Sequence, residues 1–261
     1  LFVAQFHWGV AGVAIATIIA QTISAVCCLV RLGKMKDVLT MGLHTMKLRR
    51  DLVVQLTKLG LPSGISQAIF SMAALVVQSL TNSFGTVVIA CSTVVMRVDG
   101  FAMMPNFTFG TAMTTFAGQN IGAGKVERVE EGTRDGMRIG LIVSVILVIC
   151  ILVFGGPLMH LFTGTQEVID LGVRMMRILA VGYIAMAVTQ TLSGVMRGAG
   201  DTMTPMWISL VTTVIIRVPI AYGLAFLTRS EQNPVGSPDS LYISLLVSWV
   251  LGALITVFFY R

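Results

Sequence analysis

The chain has 261 residues, 55% of them hydrophobic and only 11% charged, with a mean hydropathy of +0.87. An ordinary soluble domain carries about 25% charged residues, so that class is excluded, and the unit of reading becomes the apolar span of about 20 residues. The formal net charge of +6 raises nucleic acid as a partner, but the basic residues gather between apolar runs, which points to membrane topology and to no nucleic acid.

In chain order, seven apolar segments stand out: Trp8–Leu32, Leu59–Asn82, Thr86–Thr115, Met137–Phe154, Val168–Val195, Pro205–Leu227 and Leu241–Tyr260. Backbone polar groups in hydrocarbon must be satisfied within the segment, so each is predicted as a helix. The period-2 alternation of a barrel strand is absent. The predicted fold class is all-α, a polytopic membrane helix bundle. Leu1–Leu32 lacks an initiator Met and a basic stretch before its apolar run. It does not read as a signal peptide, and the chain is expected to begin inside a longer protein.

The loops carry an asymmetry. Arg31–Arg50 holds six Lys/Arg, 118–138 holds four, and Arg197 and Arg261 fall on the same side. The alternate loops, 83–85, 155–167 and 228–240, hold only Arg229. Twelve against one predicts that the first group is cytoplasmic, with residue 1 outside and residue 261 in the cytoplasm. The expected location is a cell membrane of the bacterial inner-membrane kind. The basic stretch 33–50 is the best internal boundary, with one helix (1–32) before it and six (51–261) after it. That split suggests part of a two-lobed bundle.

Helical spacing puts polar residues on stripes. These are Ser63, Gln67, Ser71, Gln78 and Asn82 in the second span, and Asp99, Met103, Asn106 and Gly110 in the third. Tyr183, Met186, Gln190 and Ser193 align in the fifth, Ser209, Thr213 and Arg217 in the sixth, and Ser244, Ser248, Gly252 and Thr256 in the seventh. Such stripes serve either as interhelical glue or as the wall of a polar cavity. Gln67, Ser71, Gln78, Met103, Tyr183, Met186 and Gln190 are the candidate lining, Met being able to adapt its shape to greasy cargo.

Charges inside a span are expensive and need a partner, water or a function. Arg97 and Asp99 are two residues apart, point to roughly opposite faces, and are not expected to pair. Arg217 is a candidate partner for Asp99. Alternatively, the carboxylate binds a proton or Na⁺. Pro105 removes one helical hydrogen bond and clashes with the carbonyl of Phe101. It reads as a bend beside an ionisable group, either a moving part or a static kink.

Soluble chemistries find no support. There is no phosphate-binding loop, and His7, His44 and His160 have no metal-ligand spacing. Cys27, Cys28, Cys91 and Cys150 lie in apolar runs without a CxxC pair. No enzyme, metal or cofactor is expected, a coupling ion apart. "GQNIGAGK" reads as a tight turn.

Three segments carry a resemblance: "LPSGISQAIFSMAALVVQSLTNSFG", "RVDGFAMMPNFTFGTAMTTFAGQNIGAGKVERV" and "LSGVMRGAGDTMTPM", with "RVPIAYGLA" fitting as well. The chain resembles the second half of a multidrug and toxic compound extrusion (MATE) transporter along nearly its whole length. The resemblance implies twelve helices in two lobes of six. Leu1–Leu32 would be the last helix of the N-terminal lobe, 33–50 the interlobe loop, and Asp51–Arg261 the C-terminal lobe. It implies a secondary antiporter that expels organic cations, drugs or other amphipathic compounds in exchange for H⁺ or Na⁺. Partners would be those small molecules, the lipid bilayer and the missing N-terminal lobe. Where some members carry a Glu and an Asp, this sequence has Phe70 and Met186. It looks closer to the DinF-like branch, whose key acid lies in the first helix, leaving Asp99 as the visible intramembrane acid. Asp99, Arg97, Asn106 and Arg217 are the candidate coupling or cavity residues. A lipid-linked oligosaccharide flippase, and a non-transporting membrane protein, are the alternatives. The 261-residue piece is expected to be inactive alone.

Overall fold

The computed structural model describes residues 9–34, 49–231 and 234–260. Most of the expected interlobe loop 33–50, and both terminal residues used to orient the chain, lie outside the described residues. The helices are α1 Gly9–Lys34, α2 Arg50–Ser83, α3 Thr86–Gly122, α4 Val126–His160 and α5 Gln166–Gly198. A composite sixth span follows: α6 Met203–Leu210, a π-helical stretch Val211–Arg217, and α7 Val218–Leu227. The last is α8 Asp239–Tyr260. Among the described residues, seven helices are long and apolar enough to cross a membrane, the sixth running continuously over Met203–Leu227. All seven expected spans are therefore present.

Their ends differ from the sequence reading. Stretch 118–138 is not a loop: α3 continues to Gly122 and α4 begins at Val126. The basic residues Arg128, Arg134 and Arg138 stand on the first turns of α4, where Asp135 and Arg138 pair at 3.2 Å. The 37 residues of α3 extend about 55 Å at a rise of about 1.5 Å each. Hydrocarbon is only about 30 Å thick. The ends therefore reach the headgroup region, where a helix can carry charge at little cost.

The chain divides into two units, residues 1–54 and 55–261. In the first, α1 is almost wholly exposed, and Thr17 and Thr22 return their hydroxyls to carbonyls one turn back, at 2.9 and 2.8 Å. The second unit is a bundle centred on α5, whose buried face runs from Val168 to Met196. α3, α4 and α8 pack around it. α3 and α5 run parallel, as successive contacts show: Cys91 with Met175, Asp99 with Tyr183, Gly110 with Gly194. The last is backbone against backbone, since a Cβ on Gly194 would lie 2.3 Å from the Gly110 carbonyl oxygen. Small residues permit such approach where no hydrophobic force draws helices together.

α3 and α5 also end alike. Gly124 and Gly200 take positive φ, 71° and 92°. The amide of Lys125 donates to the Asn120 carbonyl at 2.8 Å, and that of Asp201 to the Met196 carbonyl at 2.9 Å. These are Schellman closures, and the GAG triplet supplies the left-handed residue each requires. The tight turn expected of "GQNIGAGK" is present.

Candidate functional site

A cavity of about 550 Å³ lies in the half of the bundle nearer these two turns. Its wall is built from the first half of α2, the second halves of α3 and α5, the sixth span and α8. Of the residues expected to line a cavity, Gln67, Met186 and Gln190 stand in this wall. Ser71, Gln78, Met103 and Tyr183 stand elsewhere. Ser71 returns its hydroxyl to the Gln67 carbonyl at 3.0 Å. Gln78 donates to Asn82 at 3.0 Å. Met103 is core and borders an adjoining hollow of about 480 Å³ with Gly100 and Phe107. Tyr183 is 1% exposed.

The wall carries twelve Ser or Thr residues, the two amides, Phe70, Phe107, Trp249 and Met186. Arg197 is its only charged residue among those described. Many of the hydroxyls are committed to their own helices, as Thr111 is to Phe107 and Thr189 to Ala185. The surface is therefore mildly polar with aromatic faces, suited to amphipathic molecules through stacking and cation–π contact.

The sixth span shows why Thr212 and Thr213 reach this wall. Pro219 has no amide hydrogen to return to the helix. The turns before it are wound as a π-helix over Val211–Arg217. Ser248 of α8 donates to the Thr212 carbonyl at 2.8 Å. Wide turns of this kind recur at functional sites.

The intramembrane charges lie apart from the cavity wall. Arg97 is exposed, whereas Asp99, two residues on, is half-buried. Asp99 accepts a hydrogen bond from the Tyr183 hydroxyl. Arg217, the partner suggested by sequence, is not that partner: among the described residues no ion pair joins them, and the buried Nε of Arg217 has no hydrogen bond. A phenol satisfies a buried carboxylate without the desolvation cost of a second charge. Asn106 is 1% exposed. Its Nδ2 donates to the Tyr183 carbonyl at 3.3 Å, and its Oδ1 accepts from Ser144 at 2.9 Å. Pro105 lies inside an α3 that continues unbroken on both sides.

Sequence spacing missed Trp249, Phe70, Phe107 and Arg197. A stripe built on polar residues passes over aromatics, and Arg197 was counted as a loop residue. The π-helical winding had one signal, the proline at 219.

The chain matches the MatE family profile over residues 62–223, more than half its length. "Probable multidrug resistance protein YoeA" of Bacillus subtilis is 30% identical over 244 residues, 92% of this chain and 53% of its own. "Multidrug and toxin extrusion protein 1" of Homo sapiens is 26% identical over 229 residues, 87% of this chain and 40% of its own. Among solved structures, "Crystal structure of MATE in the straight conformation" superposes with a TM-score of 0.88 at 21% identity, over 100% of this chain and 57% of that one. The chain thus spans about half the length of the relatives it matches. With its seven membrane-length helices, this multi-pass membrane chain belongs to the MatE family, whose members are transporters and not enzymes.

Proposed function

We propose that the chain forms the C-terminal lobe, with one preceding helix, of an antiporter that exports organic cations, drugs or other amphipathic compounds across a cell membrane in exchange for H⁺ or Na⁺. An N-terminal lobe of the same protein supplies the facing wall. The observation that carries this is the cavity: a chamber of about 550 Å³ inside a membrane bundle, walled by hydroxyls, amides, aromatics and Met186. Glue between helices leaves no such volume. Among the described residues its wall holds one cation, Arg197, which does not favour a pyrophosphate-carrying lipid, since that calls for several. Asp99 is proposed as the coupling acid, since it is held inside the span by a neutral donor and so remains free to take up a cation. Arg97, Asn106 and Arg217 are proposed to support it, and Pro105 to let α3 bend.

The test is ethidium efflux from cells expressing the whole gene that carries this sequence, with and without an uncoupler. Energy-dependent efflux is expected for wild type. Asp99→Asn, present in the membrane at equal level, is expected to lose it by about tenfold or more, equivalent to ~1.4 kcal/mol of barrier. Normal transport by Asp99→Asn at every pH and Na⁺ concentration overturns the coupling role.

A further inference from the structure

Tyr183 touches three things at once. Its hydroxyl donates to Asp99 of α3. Its backbone carbonyl is held by Asn106, which Ser144 of α4 holds in turn. Its ring lies against the Trp249 ring of α8, with centroids 5.9 Å apart and planes tilted by 43°. Trp249 in turn stands in the cavity wall. The neighbouring residue, Gly182, makes the contact possible: a Cβ there would lie 2.5 Å from the indole ring. The acid and the cavity thus meet through one side chain, although Asp99 does not line the cavity itself.

We propose that Tyr183 is a positioning residue that couples cation uptake by Asp99 to the shape of the cavity wall, through Trp249. The proposal rests on the reading of Asp99 as the coupling acid. While Asp99 is ionised, it offers the phenol a charge-assisted acceptor, about twice as strong as a neutral one. When it takes up H⁺ or Na⁺, that charge is neutralised. The phenol, 1% exposed, cannot offset the weakened bond with bulk water. The backbone of Tyr183 is fixed by Asn106, so the side chain is what responds, and Trp249 is the aromatic ring lying against it. Cargo contacts and cation occupancy are thereby linked, as exchange requires.

The groups around Asp99 leave few other routes. From α5 it faces Tyr183. Tyr242 of α8 is near enough to interact with it electrostatically, and its hydroxyl is bonded to Ser92 at 2.8 Å. The Cys91 sulfur of α3 lies 3.3 Å from the Met175 sulfur. Among the described residues, no basic side chain pairs with Asp99. Tyr242 is thus the natural control.

The experiment uses the whole transporter in lipid nanodiscs, with every tryptophan except Trp249 replaced by Phe. Trp249 emission is titrated between about pH 5 and pH 9, the range that brackets shifted carboxylates, without and with Na⁺. The expected result is an emission transition in the parent that is lost in Asp99→Asn and in Tyr183→Phe and kept in Tyr242→Phe. A Tyr183→Phe protein that titrates like the parent overturns the proposal, and so does a parent without any transition. If Tyr183→Phe does not accumulate, Trp249→Ala carries the test in cells, where efflux that keeps its pH dependence overturns the proposal. The emission readout needs no transport. A transition lost in Tyr183→Phe, beside normal efflux by Asp99→Asn, would sink the coupling reading while leaving the Tyr183 link standing.

Discussion

Asn106 commits both halves of its amide inside the bundle, one to a hydroxyl of α4 and one to a backbone carbonyl of α5. Interhelical hydrogen bonds in membranes average only about 0.6 kcal/mol, so neither bond alone fixes the fold. Their loss together is costlier, because Ser144, fully buried, would keep a hydroxyl with no acceptor across the interface. Asn106→Leu is therefore expected to destabilise the protein by about 1–3 kcal/mol, the range for stranded buried polar groups. A melting curve in detergent measures it. Asn106→Leu melting with the parent would mean that Ser144 turns to its own helix, as Thr133 does to Val129 at 2.6 Å. Asn106 and Asp99 are polar residues of one helix with different partners, and periodicity alone assigns both to one stripe. Only the neighbours separate a residue holding two helices from one held by a phenol.

Among the described helices, α3 and α5 share the most extensive contact. It is set by the absence of side chains. Gly194→Ala would drive a methyl to 2.3 Å from a main-chain carbonyl that cannot rotate away. The helices must separate, and overpacking of this kind costs about 1–3 kcal/mol. Gly100→Ala on the same α3 meets nothing within 4 Å and is expected to change stability by less than about 0.5 kcal/mol. Equal melting temperatures for the two variants would refute this account of the interface. Elements were legible in the sequence to different depths. All seven spans showed, because in hydrocarbon an apolar run of sufficient length has no alternative to a helix. Their ends did not, because hydropathy falls where water begins while hydrogen bonding continues; Arg128, Arg134 and Arg138 are helical for this reason. The turn after α3 showed through its glycine-rich "GQNIGAGK", whereas the stretch after α5 read only as a loop. The cavity showed in part. Gln67, Met186 and Gln190 lie in its wall, but spacing along one helix cannot tell which stripe faces empty volume. Trp249 and Phe107 look like lipid-facing or core aromatics until the opposing helices are in place.

At the scale of the whole molecule, charge orders the bundle along one axis. In the second unit, the GAG turns and the first turns of α4 form one end, with Lys125, Arg128, Arg134 and Arg138. The other end is less bare than its loops suggest. Arg174, within α5, reaches Asp239 at the start of α8 and forms an ion pair there. The positive-inside rule counts Lys and Arg and gives carboxylates little weight, and the excess stays at the end of the GAG turns, which is proposed to be cytoplasmic. The cavity lies nearer that end, so the proposed orientation would set the proposed binding surface towards the cytoplasm. This orientation can be measured directly. In a background without the native cysteines, Lys125→Cys and Arg229→Cys stand in turns at opposite ends of the bundle. In intact cells a membrane-impermeant maleimide is expected to label the cysteine at 229 and to reach the one at 125 only after permeabilisation. The reverse pattern would place the basic turns outside, and the cavity would then lie nearer the release side.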